Sequence, residues 1–207
     1  MTPDQDACAL LYRHWREGTV LEALPPDLRP ADRAQAYKIQ AFLEDYSAAP
    51  LFGWKIAATG LAGQRHIGVD GPLAGRLLAE RVIADGGECA LGANRMRVAE
   101  LEFAFRMGSD LTPRDTDYTQ DDVLAAVASL HPAIELPDSR FAHFETAGLP
   151  QLVAATMPAA ICSCWGPPPM RHGATWTLPP IPAACSGMAP WRKTAAAAMC
   201  WAIPASP

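Results

Sequence analysis

The residues whose types and spacing could do chemistry are carboxylates. In Val98-Ala99-Glu100-Leu101-Glu102-Phe103-Ala104-Phe105 the pattern alternates with a two-residue period, which predicts a strand over 97–107. Alternation puts Glu100 and Glu102 on one face and Leu101, Phe103 and Phe105 on the other. Same-face side chains on a strand are only ~7 Å apart, and two like charges so close repel unless both face water or share a cation. From these two residues alone, an edge strand with a wet face explains the pair better than a metal does. A third carboxylate, Glu135, interrupts the apolar run Pro132-Ala133-Ile134-Glu135-Leu136, where an unpaired charge would be costly. Three carboxylates without a His or Cys cluster suit a hard cation, Mg²⁺ or Mn²⁺, rather than zinc. Lys55 is a lone cation in Phe52-Gly53-Trp54-Lys55-Ile56-Ala57. It is either a surface lysine whose stem lies along apolar neighbours, or a buried one whose lowered pKa would let it take part in proton transfer.

These groups need elements to position them. Residues 33–46 read as an amphipathic helix, with Ala36, Ile39, Leu43 and Tyr46 on one stripe and Asp32 as N-cap. Residues 52–57 form a short apolar segment, and the Gly-rich stretch 60–75, with His66, Asp70 and Pro72, reads as a loop. Thr119 with Asp122 opens a helix of capping-box type, which carries Val123, Leu124, Val127 and Leu130 on one face. His131-Pro132 is expected to end it, because a residue before proline avoids the α region. A second short strand follows over 133–136. Strand, helix, strand predicts a mixed α/β or α+β domain.

The whole chain sets wider bounds. At 207 residues it suits one well-buried domain. A formal charge of -5 gives no electrostatic reason to expect nucleic acid as a partner. The first fifteen residues carry Asp4 and Asp6 and no long apolar run, and no segment reaches the ~18 apolar residues of a membrane span. The expectation is a cytoplasmic protein with neither a nucleic-acid nor a membrane partner. Cys8 and Cys89 are isolated, and Cys162 and Cys164 are separated by one residue, closer than the usual zinc pairs.

Composition breaks near residue 155. All 22 acidic residues lie at or before Glu145. The stretch 157–207 holds ten of the 20 prolines, four of the six tryptophans and four of the six cysteines, the last including Cys185 and Cys200. Disordered tails are poor in Trp and Cys and rich in charge, so this one has another origin. Runs such as Pro167-Pro168-Pro169 and 195–198 are expected to interrupt any strand or packed helix. The genetic code offers an explanation. Reading the codons of Met199-Cys200-Trp201-Ala202 one nucleotide earlier forces Val-Leu-Gly, and the same shift from Thr156 to Gly166 permits a Leu/Val-rich run closed by Gly-Pro. The chain therefore divides into a domain over 1–156, helical to about 50, and a Pro/Ala/Trp/Cys-rich tail over 157–207 that reads as a frameshift product.

Taken in order, several segments resemble the fumarylacetoacetate hydrolase superfamily, in its branch of 2-keto-4-pentenoate hydratases and related 2-oxo acid decarboxylases. The segments are Gln35-Ala36-Tyr37-Lys38-Ile39-Gln40, Gly53-Trp54-Lys55-Ile56-Ala57-Ala58-Thr59, Gly68-Val69-Asp70-Gly71-Pro72, Glu100-Leu101-Glu102 and Pro132-Ala133-Ile134-Glu135. The shifted tail also resembles the family's later Val-Leu-Gly stretch. The resemblance implies a metal, Mg²⁺ or Mn²⁺, held by Glu100, Glu102 and Glu135, with Lys55 in the active site. It also implies the family's mixed β-structure, left incomplete by the tail, and homo-oligomers for intact members. The substrate would be a small 2-oxo acid of the kind met in aromatic catabolism. It would chelate the metal, which stabilises an enolate before water adds to the remote double bond. Decarboxylation and C–C hydrolysis share this logic. His66 and Asp70 are further candidates for substrate contact. Hydratases of the family commonly carry an acid where this chain has Leu73, a departure that weakens hydration relative to decarboxylation. A frameshifted chain that keeps the metal half without catalysing anything is the alternative of another class.

Overall fold

The computed structural model describes residues 1–156 and, beyond them, the backbone of four strands. Readings made of the cysteines, prolines and tryptophans after residue 156 otherwise lie outside the described residues. Helix α1 (Pro3–Glu17) starts at a reciprocal cap between Thr2 and Gln5 and ends at Gly18, whose φ of 67° is the left-handed conformation glycine tolerates. Helix α2 (Arg33–Ala41) begins at Asp32, whose carboxylate accepts from the Gln35 N–H at 2.8 Å. The expected helix over 33–46 is thus α-helical only to Ala41, and Phe42–Tyr46 tightens into a 3-10 helix. Ala36, Ile39 and Leu43 are buried as expected, whereas Tyr46 is exposed and stacks on Tyr12 with ring centroids 4.1 Å apart.

The sheet is mixed. It contains β1 (Gly53–Ala57), β2 (Leu73–Leu77), β3 (Val82–Ile83), β4 (Glu100–Met107), β5 (Val127–Leu136) and β6 (Ala160–Ser163). Beyond a small hairpin of β7 (Arg171–His172) and β8 (Thr175–Trp176), strand β9 (Ala198–Ala202) enters it too. The order is β2-β1-β9-β4-β5-β6-β3, with β9 parallel to β4, β3 parallel to β6, and the other pairs antiparallel. Mixed α+β architecture is as expected. Ala198 is not the strand breaker expected of its alanine run: it opens β9, which pairs with β1 and β4.

Two further expectations change. The stretch 60–75 is not all loop, for it holds helix α3 (Leu61–Ile67) and the start of β2, with the Gln64 amide capping the Ala58 carbonyl at 3.0 Å. Helix α4 (Gln120–Ala126) opens at the predicted Thr119–Asp122 box but stops at Ala126, five residues before the expected end. Val127, Ser129, His131, Ala133 and Glu135 are alternately buried along β5, so a two-residue pattern wins over the helical one from Val127 onward. Pro132 stands inside β5, opposite Phe103 of β4.

The main core lies among α1, α2, helix α5 (Leu149–Ala155) and β2. Its members include Leu11, Trp15, Ile39, Leu73, Phe141 and Val153. Gln40 is fully buried there and fastens three elements. Its Nε2 donates to the carbonyls of Ala74 (3.1 Å) and Val153 (2.7 Å), and its Oε1 accepts from Arg76 (3.2 Å). At Gly75 a Cβ would fall 2.5 Å from Thr156 Cγ2, so glycine is what lets β2 pass beneath the end of α5. Among the described residues no helix is long and apolar enough to cross a membrane.

Candidate metal centre and its cavity

Two adjacent strands bring the predicted carboxylates together. Glu100 opens β4 and stands opposite Glu135 near the end of β5, with Glu102 opposite Ala133. Alternation then places Glu102 beside them, and carboxylate oxygens of Glu100, Glu102 and Glu135 all lie within 4.8 Å of one another. This face is not wet. Glu102 is 5% exposed and Glu135 2%, while Leu101 on the opposite face is 63% exposed. The strand is also no edge, since β5 and β9 flank it. The carboxylates thus occupy the inner face, where their mutual repulsion has little water to screen it.

Lys55, on β1, reaches this cluster. Its Nζ lies 2.7 Å from Glu135 Oε2, and both side chains are buried. It is therefore not a surface lysine. Burial alone would push its pKa down, but the charge and hydrogen bond of Glu135, reinforced by Glu100 and Glu102, carry it above the ordinary lysine value. The lowered pKa expected for a lysine among apolar neighbours is thereby corrected, because those neighbours in sequence are not its neighbours in space. For Glu135, burial dominates over Lys55 and raises its pKa, with Glu100 adding to the rise.

A cavity of about 470 Å³ opens beside the cluster, lined by Lys55, Glu100 and Glu135 and, among others, by Ala58, Thr59 and His66. Ala58 sits at a φ of 55°, an uncommon conformation for a residue with a Cβ, where the chain turns from β1 over the cavity into α3. His66 lies on α3 with its ring edge-on to Phe144, centroids 6.2 Å apart. Asp70 is not brought to the site: its side chain is 80% exposed and pairs with Arg33 at the surface. Leu73 is buried and lines the cavity.

Sequence reasoning missed Asp138 and Ser139, which follow β5 and enter the cavity wall. Asp138 pairs with buried Arg140 and accepts from the Arg95 N–H at 3.2 Å, while the Asn94 amide donates to the Pro137 carbonyl at 2.9 Å. These bonds hold Met96 and Val98 against the cavity. The signal available was Asp138-Ser139-Arg140, a charged pair straight after a strand. A smaller cavity of about 230 Å³, around Trp15, Arg81 and Arg140, contains none of the three glutamates.

No protein-family model matches the chain. It is 35% identical over 145 residues to 2-keto-4-pentenoate hydratase 2 of Dechloromonas aromatica (strain RCB), an alignment covering 68% of this chain and 53% of that protein. To the TodF product hydratase of Pseudomonas putida (strain F1) it is 32% identical over 143 residues, covering 67% and 52%. The chain thus spans about half the length of the curated relatives it matches. Among solved structures it is similar to 4-oxalocrotonate decarboxylase from Pseudomonas putida G7, complexed with magnesium and adipate. The TM-score is 0.67 at 20% identity, over 79% of this chain and 63% of that one. The fold is shared with that decarboxylase, and the curated relatives are enzymes named as hydratases.

Proposed function

We propose that the chain is built as a metal-dependent hydratase of the fumarylacetoacetate hydrolase superfamily, adding water to a 2-keto-4-pentenoate-like 2-oxo acid. The observation that carries this reading is the meeting of Glu100, Glu102 and Glu135 within 4.8 Å beside an amphipathic cavity that Glu100 and Glu135 line. The residues fit a hard divalent cation, Mg²⁺ or Mn²⁺. The donors are all carboxylate oxygens, and Lys55 offsets only one of three charges on a largely buried face. Glu100, Glu102 and Glu135 would hold the ion. When bound, it supplies a Lewis acid for the carboxylate and ketone oxygens of a 2-oxo acid, easing enolisation. Lys55, anchored by Glu135, keeps an ammonium beside the reacting end, where it holds a proton and favours developing negative charge. The apolar part of the wall seats the hydrocarbon chain.

A 2-oxo acid decarboxylase is the second reading. Leu73 favours it, because this buried, apolar residue lines the cavity where a hydratase of the family would carry an acid. Turnover separates the two. Loss of the ultraviolet absorbance of 2-hydroxypenta-2,4-dienoate, dependent on Mg²⁺ or Mn²⁺ and abolished by Glu102→Ala, supports the hydratase. Release of CO₂ from 4-oxalocrotonate without hydration of the dienoate transfers the assignment to the decarboxylase.

We further propose that the tail after residue 156 is a one-nucleotide frameshift product, supported by the loss of all acidic residues after Glu145 and by the forced Val-Leu-Gly of the shifted frame. Resequencing the gene across codons 150–160 is decisive, and an intact frame there on independent DNA overturns the proposal. The corrected chain is expected to be the more active of the two.

A further inference from the structure

The smaller cavity, of about 230 Å³, brings arginine and tryptophan together. Trp15 stands in the last turn of α1, Arg81 just before β3 and Arg140 shortly after β5, and all three line its wall. Both guanidiniums lie over the Trp15 ring, with Cζ 4.6 Å from its centroid for Arg140 and 5.7 Å for Arg81. We propose that this cavity binds a small oxyanion of the phosphate class, received by Arg81, Arg140 and the Trp15 indole N–H.

Two buried donors in the wall lack acceptors. Trp15 Nε1 and Arg140 Nε make no hydrogen bond among the described residues, although Trp15 is only 8% exposed and Arg140 2%. Buried N–H groups are normally satisfied, so a pair of orphans beside one cavity points to an acceptor that enters it. Arg140 spends its other nitrogens on Asp138 and on the carbonyls of His14 (3.3 Å) and Thr19 (3.0 Å). Both orphan nitrogens are covered, so the acceptor reaches them as indole and guanidinium turn toward the cavity, which makes Trp15 a reporter of binding.

Charge selects the acceptor. Of the wall's ionic residues Arg16 and Glu17 are exposed and offset one another, which leaves Arg81 and Arg140 against Asp138. No acidic residue follows Glu145, so residues 157–207 bring no Asp or Glu to this balance. Burial pushes the Arg140 guanidinium below the ordinary arginine value; Asp138 opposes that, and the charges of Arg95 and Arg81 add to it. Water would satisfy the N–H groups and leave the excess positive charge in place, whereas an oxyanion answers both. The volume of about 230 Å³ equals roughly eight waters at their share of the liquid, room for a five-atom oxyanion with part of its hydration. Asp138 also lines the larger cavity, so the oxyanion would share Arg140 with a residue common to both walls.

Calorimetric titration of the full chain with inorganic phosphate, in EDTA and at an ionic strength held constant with chloride, tests the proposal. Without divalent ions the three glutamates repel anions from the larger cavity. One phosphate per chain is expected to bind and to change the tryptophan emission. Arg81→Gln should weaken binding at least ~10-fold, and Trp15→Phe at least ~3-fold while removing the emission change. Arg140 is left in place because it fastens the end of α1, and urea midpoints show that the two variants are folded. Glycerol 3-phosphate binding as tightly as phosphate assigns the site to a phosphate ester, and weaker binding assigns it to the free ion. Heats no larger than dilution, or phosphate binding that both folded variants keep at wild-type affinity, overturns the proposal.

Discussion

Glu100 and Glu135 face one another directly across the β4–β5 ladder, so two carboxylates occupy the position where a sheet usually pairs opposite charges or apolar side chains. Glu102 on the same face brings a third carboxylate oxygen within 4.8 Å of that pair.

Mg²⁺ or Mn²⁺ at a hundredfold excess over its Kd is expected to raise the melting temperature by roughly 5–10 °C, the gain that mass action gives a protein of this size. Glu102→Ala should abolish the rise. A wild-type chain whose melting temperature ignores both ions has no such site.

Lys55→Met removes the cation that meets Glu135 at 2.7 Å in a buried setting. Breaking one partner of a buried pair costs about 3–5 kcal/mol, and denaturant unfolding without divalent ions should show a loss of that order. Saturating Mg²⁺ should restore part of it, since a second source of positive charge then serves the same carboxylates. An unchanged midpoint would mean that the ion pair contributes nothing to the fold.

Gly75→Ala would bring a Cβ to 2.5 Å from Thr156 Cγ2 and 3.1 Å from the Thr156 carbonyl oxygen. Overpacking of this kind costs about 1–3 kcal/mol. Thr156→Ser deletes the clashing methyl, so the double variant should recover much of the loss, and a double-mutant cycle in urea measures that coupling. Additive losses would show that the two residues do not meet.

Cys8 is buried in the main core, and that burial, with the nearby Asp45 charge, pushes its thiol from 9.0 up to about 12. Peptide mapping after brief iodoacetamide treatment at pH 8.5 should find Cys8 unmodified in the folded chain and modified in urea. The sign of the pH dependence follows. A thiol that ionises more readily when unfolded stabilises the fold fully below about pH 9, and the contribution is lost as pH rises from 9 toward 12. The stability difference between wild type and Cys8→Ala should therefore shrink between pH 8 and pH 10.5. A difference that stays constant or grows contradicts a buried neutral thiol.

The elements that carry the carboxylate cluster can be read locally, because a two-residue period is visible in eight consecutive residues and fixes Glu100 and Glu102 on one side. Which side faced inward could not be read, since both faces of β4 carry apolar residues and only the neighbouring strands decide. The helix from Thr119 was overextended for a related reason. Val123, Leu124, Val127 and Leu130 satisfy a helical stripe, while Val127 to Glu135 equally satisfy a strand, and pairing with β4 settled the choice. The surroundings of Lys55 are not legible locally, because its decisive neighbour, Glu135, is eighty residues away. Leu152 reaches the cavity only because Gln40 ties α5 to β2, a long-range bond that leaves no trace in local pattern.

The Lys55–Glu135 contact has a consequence for timing. A pocket of bare carboxylates would need its ion in place before the strands could close, making folding hostage to metal supply. Here an ammonium already occupies part of that electrostatic vacancy. The chain can close without an ion, and at the metal site proposed above an arriving ion would have to compete with an internal tenant for Glu135. Loading would then be an exchange, reversible at the cost of some affinity.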